Sequence, residues 1–144
     1  LNTEDRNLLY EARINPIANF NINDFVIFGQ KTLQKNKSSL DRVNVRRMLI
    51  EVKRIVGNAA TNVIFEQNVK ATRDSFVATV SPQLALIQSQ QGIEQFRVIM
   101  NDSNNTQQDI EQNKLNGRIV LVPTRAIEFI ALDFVITNSG VSFE

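Results

Sequence analysis

Four acidic or amide side chains lie close together late in the chain, at Asp102, Asn104, Asp109 and Glu111. Their oxygens are ligands that a hard cation such as Ca²⁺ prefers. The spacing does not fit a helix-loop-helix calcium site, because such a loop needs a glycine at its sixth position and a bidentate glutamate at its twelfth. We therefore expect these residues to form a turn and to cap the helix that follows, and we expect no metal site.

Two glutamates, Glu66 and Glu128, could serve as general acid and base only if the fold brings them together, and nothing in their spacing selects them. The sequence has no histidine, which removes the commonest general base and a frequent metal ligand. It has no cysteine, so thiolate chemistry and disulfides are excluded. Gly29 stands alone after an apolar run and makes no phosphate-binding motif. We therefore expect no enzymatic activity and no cofactor.

Basic side chains cluster on one arc of the helix that we predict over residues 43–60. They are Arg46, Arg47, Lys53 and Arg54. Only Ile50 and the flanking Glu51 interrupt this arc. Two interpretations remain open: a solvated outer face, or a surface that docks onto an acidic partner. Docking gains weight because Arg46 and Arg47 lie in the first turns, where the helix dipole makes positive charge mildly unfavourable.

The size and composition of the chain indicate one domain covering residues 1–144. With 144 residues, of which 42% are hydrophobic, it can bury a core of its own. Its formal charge of +1 argues against binding driven by overall charge. No apolar run approaches the roughly 18 residues that a membrane-spanning helix needs, so we expect no membrane insertion. Because the chain begins at Leu1 without a methionine or an apolar leader, we expect a piece of a larger protein and no secretory signal.

Periodic apolar residues predict two amphipathic helices after a short opening helix that ends before Pro16. The first covers residues 43–60, and its inward residues are Val45, Met48, Leu49, Val52, Ile55 and Val56. The second covers residues 72–92, and its inward residues are Phe76, Val77, Val80, Leu84 and Ile87. We expect Pro82 to kink this second helix or to restart it from Ser81.

Extended segments are predicted by apolar runs and by alternation of apolar and polar residues. They cover residues 24–29 as a buried strand, 63–65, 96–100, 119–122 and 127–137. The last is about twice the usual strand length. It contains Asp133, which we expect either at a sheet edge or paired with an arginine such as Arg125. Between these strands, residues 106–113 are expected to form a short polar helix.

Together these elements predict an α+β domain. A mixed β-sheet, drawn from the segments around Phe25, Phe96, Ile119 and Ile127, would pack against the two amphipathic helices. The edges of this sheet would be open to pairing with a further strand.

A series of short motifs resembles the C-terminal domain of phage contractile tail sheath proteins. The motifs, in chain order, are RINPI at 13–17, VIFG at 26–29, VNVRRMLI at 43–50, FEQN at 65–68, FRVIMND at 96–102, RAIEFI at 125–130 and FVITNSGVSFE at 134–144. They span nearly the whole chain, and their order and spacing carry the resemblance.

The resemblance implies a structural subunit that polymerises around a tail tube and contracts to drive the tube through the host envelope. The implied partners are further copies in stacked rings, the tail tube protein, and baseplate and tail terminator proteins. The implied location is the virion, after assembly in the host cytoplasm. In such proteins this domain forms the inner layer of the sheath, so the basic arc at Arg46, Arg47, Lys53 and Arg54 becomes a candidate tube-facing surface.

The end of the chain resembles an inter-subunit arm. Gly140 permits a turn away from the domain, and apolar and polar residues alternate after it like an edge strand. The candidate exchanged residues are Asn138, Ser139, Gly140, Val141, Ser142, Phe143 and Glu144. We expect the isolated chain to be monomeric or weakly associated, and we expect no direct contact with nucleic acid. The alternative is a nucleic-acid-binding domain that uses the basic helix at 43–60, and a small hydrolase is a further alternative.

Overall fold

The computed structural model describes residues 1–21 and 24–131 of the chain. These residues form four helices and four strands. In chain order they are α1 (Thr3–Glu11), β1 (Ile17–Asn21), β2 (Asp24–Ile27), α2 (Val43–Thr61), α3 (Lys70–Ser89), β3 (Ile93–Ile99), α4 (Gln107–Glu111) and β4 (Arg118–Pro123). The predicted α+β class is confirmed. None of the described helices has both the length and the apolar composition that crossing a bilayer requires.

The core forms where α2 and α3 pack together and α3 packs against β3. Its buried members are Val52, Ala59, Phe76, Val80, Leu84, Ile93 and Met100. Val80 and Leu84 are fully buried at its centre. The predicted inward faces of both helices are therefore confirmed in outline, although Leu49 is only half-buried and lies outside this cluster.

Helix α3 begins and continues differently from the prediction. It begins at Lys70, two residues before Thr72, and its N-cap residue Val69 provides no side-chain hydrogen bond. It continues through Pro82, which does not restart it from Ser81. Because Pro82 lies on the exposed side of the helix, the backbone carbonyl that loses its N–H partner can be hydrated.

Strands β3 and β4 form an antiparallel pair beside the helices. The pairing runs from Ile99 opposite Arg118 to Ile93 opposite Pro123. In β4, Ile119 and Leu121 pack against the core, while the alternate residues of the strand are exposed. This alternation is what a two-layer arrangement of helices on one face of a sheet requires.

The expected single mixed sheet is replaced by two separate antiparallel pairs within the described residues. The predicted strand around Phe25 pairs with β1, its neighbour in sequence, rather than with β3 or β4. A hairpin closes a short loop and so loses less entropy than a long-range pairing would. We call strands β1 and β2 together the hairpin. Its side chains stay outside the core cluster, and the expected burial of residues 25–28 is wrong: Phe25 is 76% exposed.

Two further extended segments differ from the prediction. Residues 63–65 form a turn after α2, in which Phe65 has a positive φ of 70° and a fully exposed side chain. Residues 124–131 have no regular secondary structure, so the predicted strand 127–137 is wrong over its first five residues. The rest of that strand, including Asp133, lies outside the described residues. A strand needs a hydrogen-bonding neighbour, and no described strand pairs with residues 127–131.

The turn and the short helix between β3 and β4 are confirmed. Thr106 and Asp109 form a capping box: the Asp109 N–H donates to Thr106 Oγ1 at 3.3 Å, and the Thr106 N–H donates to Asp109 Oδ2 at 2.9 Å. The buried Asn105 accepts from the Asn116 N–H at 2.7 Å and donates to the Asn116 carbonyl at 2.8 Å. Among the described residues there is no cluster of side chains that could hold a metal ion. Asp109 therefore caps the short helix and Asn105 braces the turn, as the turn chemistry predicted.

Candidate assembly surfaces

The outer side of α2 is a basic face, as the spacing predicted. Val45, Val52, Ile55 and Ala59 are buried on the inner side. The four predicted basic residues Arg46, Arg47, Lys53 and Arg54 are all exposed on the other side. Ile50, which is 66% exposed, lies among them. We call these four residues and Ile50 the basic face.

The four cations are not equivalent. Arg46 donates to the Leu40 carbonyl at 2.8 Å and to Gln34 Oε1 at 2.7 Å, so it supports the loop before α2. Arg54 forms a two-bond ion pair with Glu51, and this pairing holds the pKa of the Glu51 carboxyl below its usual range. Arg47 and Lys53 have no hydrogen bond or ion pair with any described residue. They are the cations of this face that are open to a partner.

The beginning of α2 adds positive potential to the basic face. No acidic residue lies in the first turn, and the N-cap residue Arg42 makes no side-chain cap. A helix N-terminus carries a partial positive charge, which attracts an acidic partner and disfavours a basic one. Asp41 and Glu128, which pair with Arg42, offset part of that charge. Arg46 and Arg47 reinforce that potential.

The side chain of Glu128 joins three separate parts of the chain. Its Oε1 accepts from Arg42 Nε at 2.5 Å, and its Oε2 accepts from Arg42 Nη2 at 3.0 Å and from the Tyr10 hydroxyl at 3.1 Å. The Arg42 guanidinium lowers the pKa of Glu128 below its ordinary value. Burial, and then the hydrogen bond to Glu128, raises the pKa of Tyr10. We call Tyr10, Arg42 and Glu128 the Glu128 cluster.

The Glu128 cluster also holds the chain that leaves the hairpin. Lys31 Nζ donates to the Tyr10 carbonyl at 2.7 Å, and Lys31 forms a backbone bridge with Arg42. The Val43 N–H donates to the Gln30 carbonyl at 2.8 Å. The hairpin, the beginning of α2 and the segment after β4 are therefore tied together at one place.

The sequence did not reveal the roles of Tyr10 and Arg42. Two features of the sequence could have indicated these roles. Glu128 is a lone acid within an apolar run, and Arg42 occupies an N-cap position where a capping side chain is usual. The idea of Glu66 and Glu128 as a catalytic pair gains no support. Glu128 is committed to Arg42 and Tyr10, and Glu66 is exposed.

Asp102, once a candidate cation ligand, has a structural partner. It accepts a hydrogen bond from Arg73, a buried residue of α3, at 2.5 Å. Arg73 also donates to Asn68 Oδ1 at 2.9 Å. A buried guanidinium needs such acceptors, so this contact fastens the turn after β3 to the beginning of α3.

The hairpin presents an exposed apolar surface. Its large exposed side chains and those that flank it are Ile17, Phe20, Phe25, Val26, Ile27 and Phe28. The rings of Phe20 and Phe28 contact each other with centroids 4.9 Å apart, and the Arg6 guanidinium lies 5.1 Å from the Phe20 ring. The outer edges of β1 and β2 pair with no other described strand. Exposed apolar residues beside open strand edges are typical of a surface that receives a strand.

A family profile described as the phage tail sheath C-terminal domain matches residues 35–137. The chain belongs to this family. It is 36% identical over 138 residues to the tail sheath protein of Vibrio phage KVP40 and 33% identical over 139 residues to that of Enterobacteria phage T4. Each comparison covers 96% of this chain and 21% of the relative. The sheath domain thus spans about a fifth of the length of these relatives.

A solved structure shares the fold. One chain of the anti-feeding prophage baseplate, determined by cryo-EM, matches with a TM-score of 0.83 and 24% identity. The match covers 95% of the sheath domain and 40% of the baseplate chain. The predicted resemblance to tail sheath proteins is confirmed. The candidate arm at residues 138–144 lies outside the described residues and stays a prediction, as does the tube-facing role of the basic face.

The contact between Glu128 and Arg42 predicts a pH-dependent contribution to stability. Because Arg42 lowers the folded-state pKa of Glu128, the contribution is fully present above the ordinary carboxyl pKa of the unfolded chain and is lost as pH falls through the folded-state pKa. We expect Glu128→Gln to lower the free energy of unfolding by about 1 kcal/mol at neutral pH. The difference from the parent should shrink as the solution becomes acidic.

Urea denaturation of both proteins, from neutral pH down to the lowest pH at which they stay folded, measures this difference. Asp74→Asn is a matched control, because it removes an exposed ion pair with Lys70 on α3. Equal stabilities of parent and Glu128→Gln at neutral pH, or a difference that grows on acidification, would contradict the expectation.

Proposed function

We propose that this chain is the assembly domain of a contractile tail sheath subunit. In this proposal, subunits polymerise in stacked rings around a tail tube and contract to drive the tube through the host envelope. The protein is part of a virion, is assembled in the host cytoplasm, and contacts baseplate and tail terminator proteins at the ends of the sheath. We infer no enzymatic role for the domain. Membership of the tail sheath family supports the structural role, self-association and the virion location.

One observation carries the proposal: the chain contains strand-forming, apolar sequence that is exposed and has no strand partner among the described residues. The hairpin has open edges and exposed phenylalanines. Residues 127–131 have the composition of a strand but pair with nothing described. A two-stranded hairpin alone is marginally stable in water, so a third strand would both satisfy its edge and cover its apolar side chains. Strand addition supplies that partner through backbone hydrogen bonds, without a pocket.

We assign the donor and the acceptor in this exchange. The donor is the arm at residues 138–144, together with the strand-like sequence before it. The acceptor is the hairpin of another copy, with edges formed by Ile17–Asn21 and Asp24–Ile27. The isolated sheath domain then stays monomeric or weakly associated, because the arms of the neighbouring copies are supplied only in the assembled sheath.

The tube-facing surface is assigned to the basic face. Arg47 and Lys53 are exposed without a described partner, and the exposed Ile50 between them adds apolar area. An acidic surface on the tube would complement this arrangement. The comparisons offer no support for the alternative of a nucleic-acid-binding domain, although the same cations would serve it.

Reversing charge on the basic face tests the docking role. The double variant Arg47→Glu/Lys53→Glu should stay folded, because both side chains are exposed, and should assemble around tubes much less than the parent at moderate salt. Arg97→Glu/Arg118→Glu is a control that makes the same change in charge at exposed positions of β3 and β4.

Cosedimentation of the full-length subunit with purified tubes measures this effect. Normal assembly of the Arg47/Lys53 variant would contradict docking through this face. Equal losses in both double variants would show that overall charge, and not this face, governs assembly.

Deleting residues 138–144 tests the exchanged arm. We expect the deletion to leave thermal stability of the sheath domain nearly unchanged and to abolish polymerisation of the full-length subunit, because the arm serves a neighbour. Differential scanning calorimetry and electron microscopy measure the two effects. Sheaths of normal length would contradict strand exchange, and a collapse of stability would place the arm in the domain's own core.

A further inference from the structure

The segment after β4 is held in place by very few hydrogen bonds. Residues 124–131 follow Pro123 without regular secondary structure, and Ile127, Phe129 and Ile130 are 78% exposed or more. At the start of the segment, the Thr124 N–H donates weakly to the Gly92 carbonyl at 3.4 Å. Beyond that point, Glu128 alone makes side-chain hydrogen bonds within the described part of the chain. Glu128 is therefore the main hydrogen-bonded anchor of the segment.

The hydrogen bonds of Glu128 fix the orientation of its carboxylate relative to the Arg42 guanidinium as well as the distance between the two groups. Both carboxylate oxygens bind the fork of the Arg42 guanidinium, at 2.5 and 3.0 Å, and Tyr10 adds a third bond. Two parallel bonds between planar groups fix their relative orientation, which a single bond or a lysine would not do. The side chains of Arg42 and Glu128 keep about a quarter of their accessible surface, so solvent screens the pair only partly.

We propose that Glu128 is a positioning residue that sets the direction in which the C-terminal segment leaves the domain, and that sheath assembly requires its bond to Arg42. This inference rests on the proposed strand exchange. Asn138, where the exchanged arm begins, is ten residues further along. A chain of ten residues can span at most roughly 33 Å, so the anchor at Glu128 limits where a neighbouring copy can meet the arm.

The Glu128 cluster links the proposed strand donor, which is the C-terminal segment, to the proposed acceptor, which is the hairpin. Arg42 binds Glu128 and also bridges to Lys31 at the exit of the hairpin. Tyr10 binds Glu128 and accepts from Lys31 through its carbonyl. A subunit that both gives and receives a strand needs these two elements in a constant relative position, and the Glu128 cluster supplies that link.

The first experiment tests the positioning in the isolated chain. Because the sequence has no cysteine, Lys37→Cys and Ile130→Cys introduce a unique pair of exposed sites for nitroxide labels. Pulsed electron paramagnetic resonance should give a narrow distance distribution in the parent and a broad one in Glu128→Gln. The charge swap Glu128→Arg/Arg42→Glu should narrow it again. The control Asp74→Asn, which breaks an ion pair elsewhere, should leave it narrow.

The second experiment tests the consequence in the full-length subunit. Glu128→Gln should lower the assembled fraction by on the order of tenfold, the loss expected for one charge-assisted contact, and the swap should recover most of it. Sedimentation separates sheaths from free subunits. The Asp74→Asn control should assemble like the parent.

Each outcome decides the proposal. Broadening with loss of assembly in Glu128→Gln, both reversed by the swap, supports it. A narrow distribution in Glu128→Gln overturns the positioning role, whatever happens to assembly, and a broad one with normal sheaths overturns the requirement for assembly. If the parent itself forms no sheaths, the proposed function fails, and the distance measurement still decides whether Glu128 directs the segment.

Discussion

A β-strand is stable only when its backbone N–H and C=O groups have partners, and this constraint governs the whole sheath domain. Strands β3 and β4 satisfy one another and are anchored by α3, which is why that half of the domain has a buried core. The hairpin is satisfied only along its inner edge. Residues 127–131 have no described strand beside them. In the proposed assembly, the strand edges that one copy leaves unpaired would pair with strands of neighbouring copies.

Because of this constraint, the domain consists of a packed body and of peripheral strands outside it. Helices α2 and α3 and the β3–β4 pair form a packed body. Val80 and Leu84 at its centre are fully buried. The hairpin and the segment after β4 lie outside that body and are connected to it through the Glu128 cluster. Such a body suits the proposed sheath, in which the peripheral strands would engage neighbouring copies. The basic face belongs to the same body, since α2 carries it on the side opposite the core.

The sequence predicted the body of the domain well because periodicity reports burial directly. The inward faces of α2 and α3, the turn after β3 and the capped helix α4 are all present. Strand pairing was predicted less well, because an apolar run does not say which neighbour will cover it. Phe25 and Ile127 look like core residues in sequence, yet both are exposed in a single copy. In the proposed assembly, a neighbouring copy would cover these exposed apolar residues.

The most direct test of this account is whether the exposed hairpin is needed for polymerisation and not for folding. Phe25→Ser removes an exposed ring from the hairpin, and Phe65→Ser makes the same change at the exposed turn after α2. Electron microscopy of full-length subunits should show striated hollow tubes for the parent and for Phe65→Ser. Phe25→Ser should give none, although circular dichroism shows it folded. Normal tubes from Phe25→Ser, or none from the parent, would contradict the account.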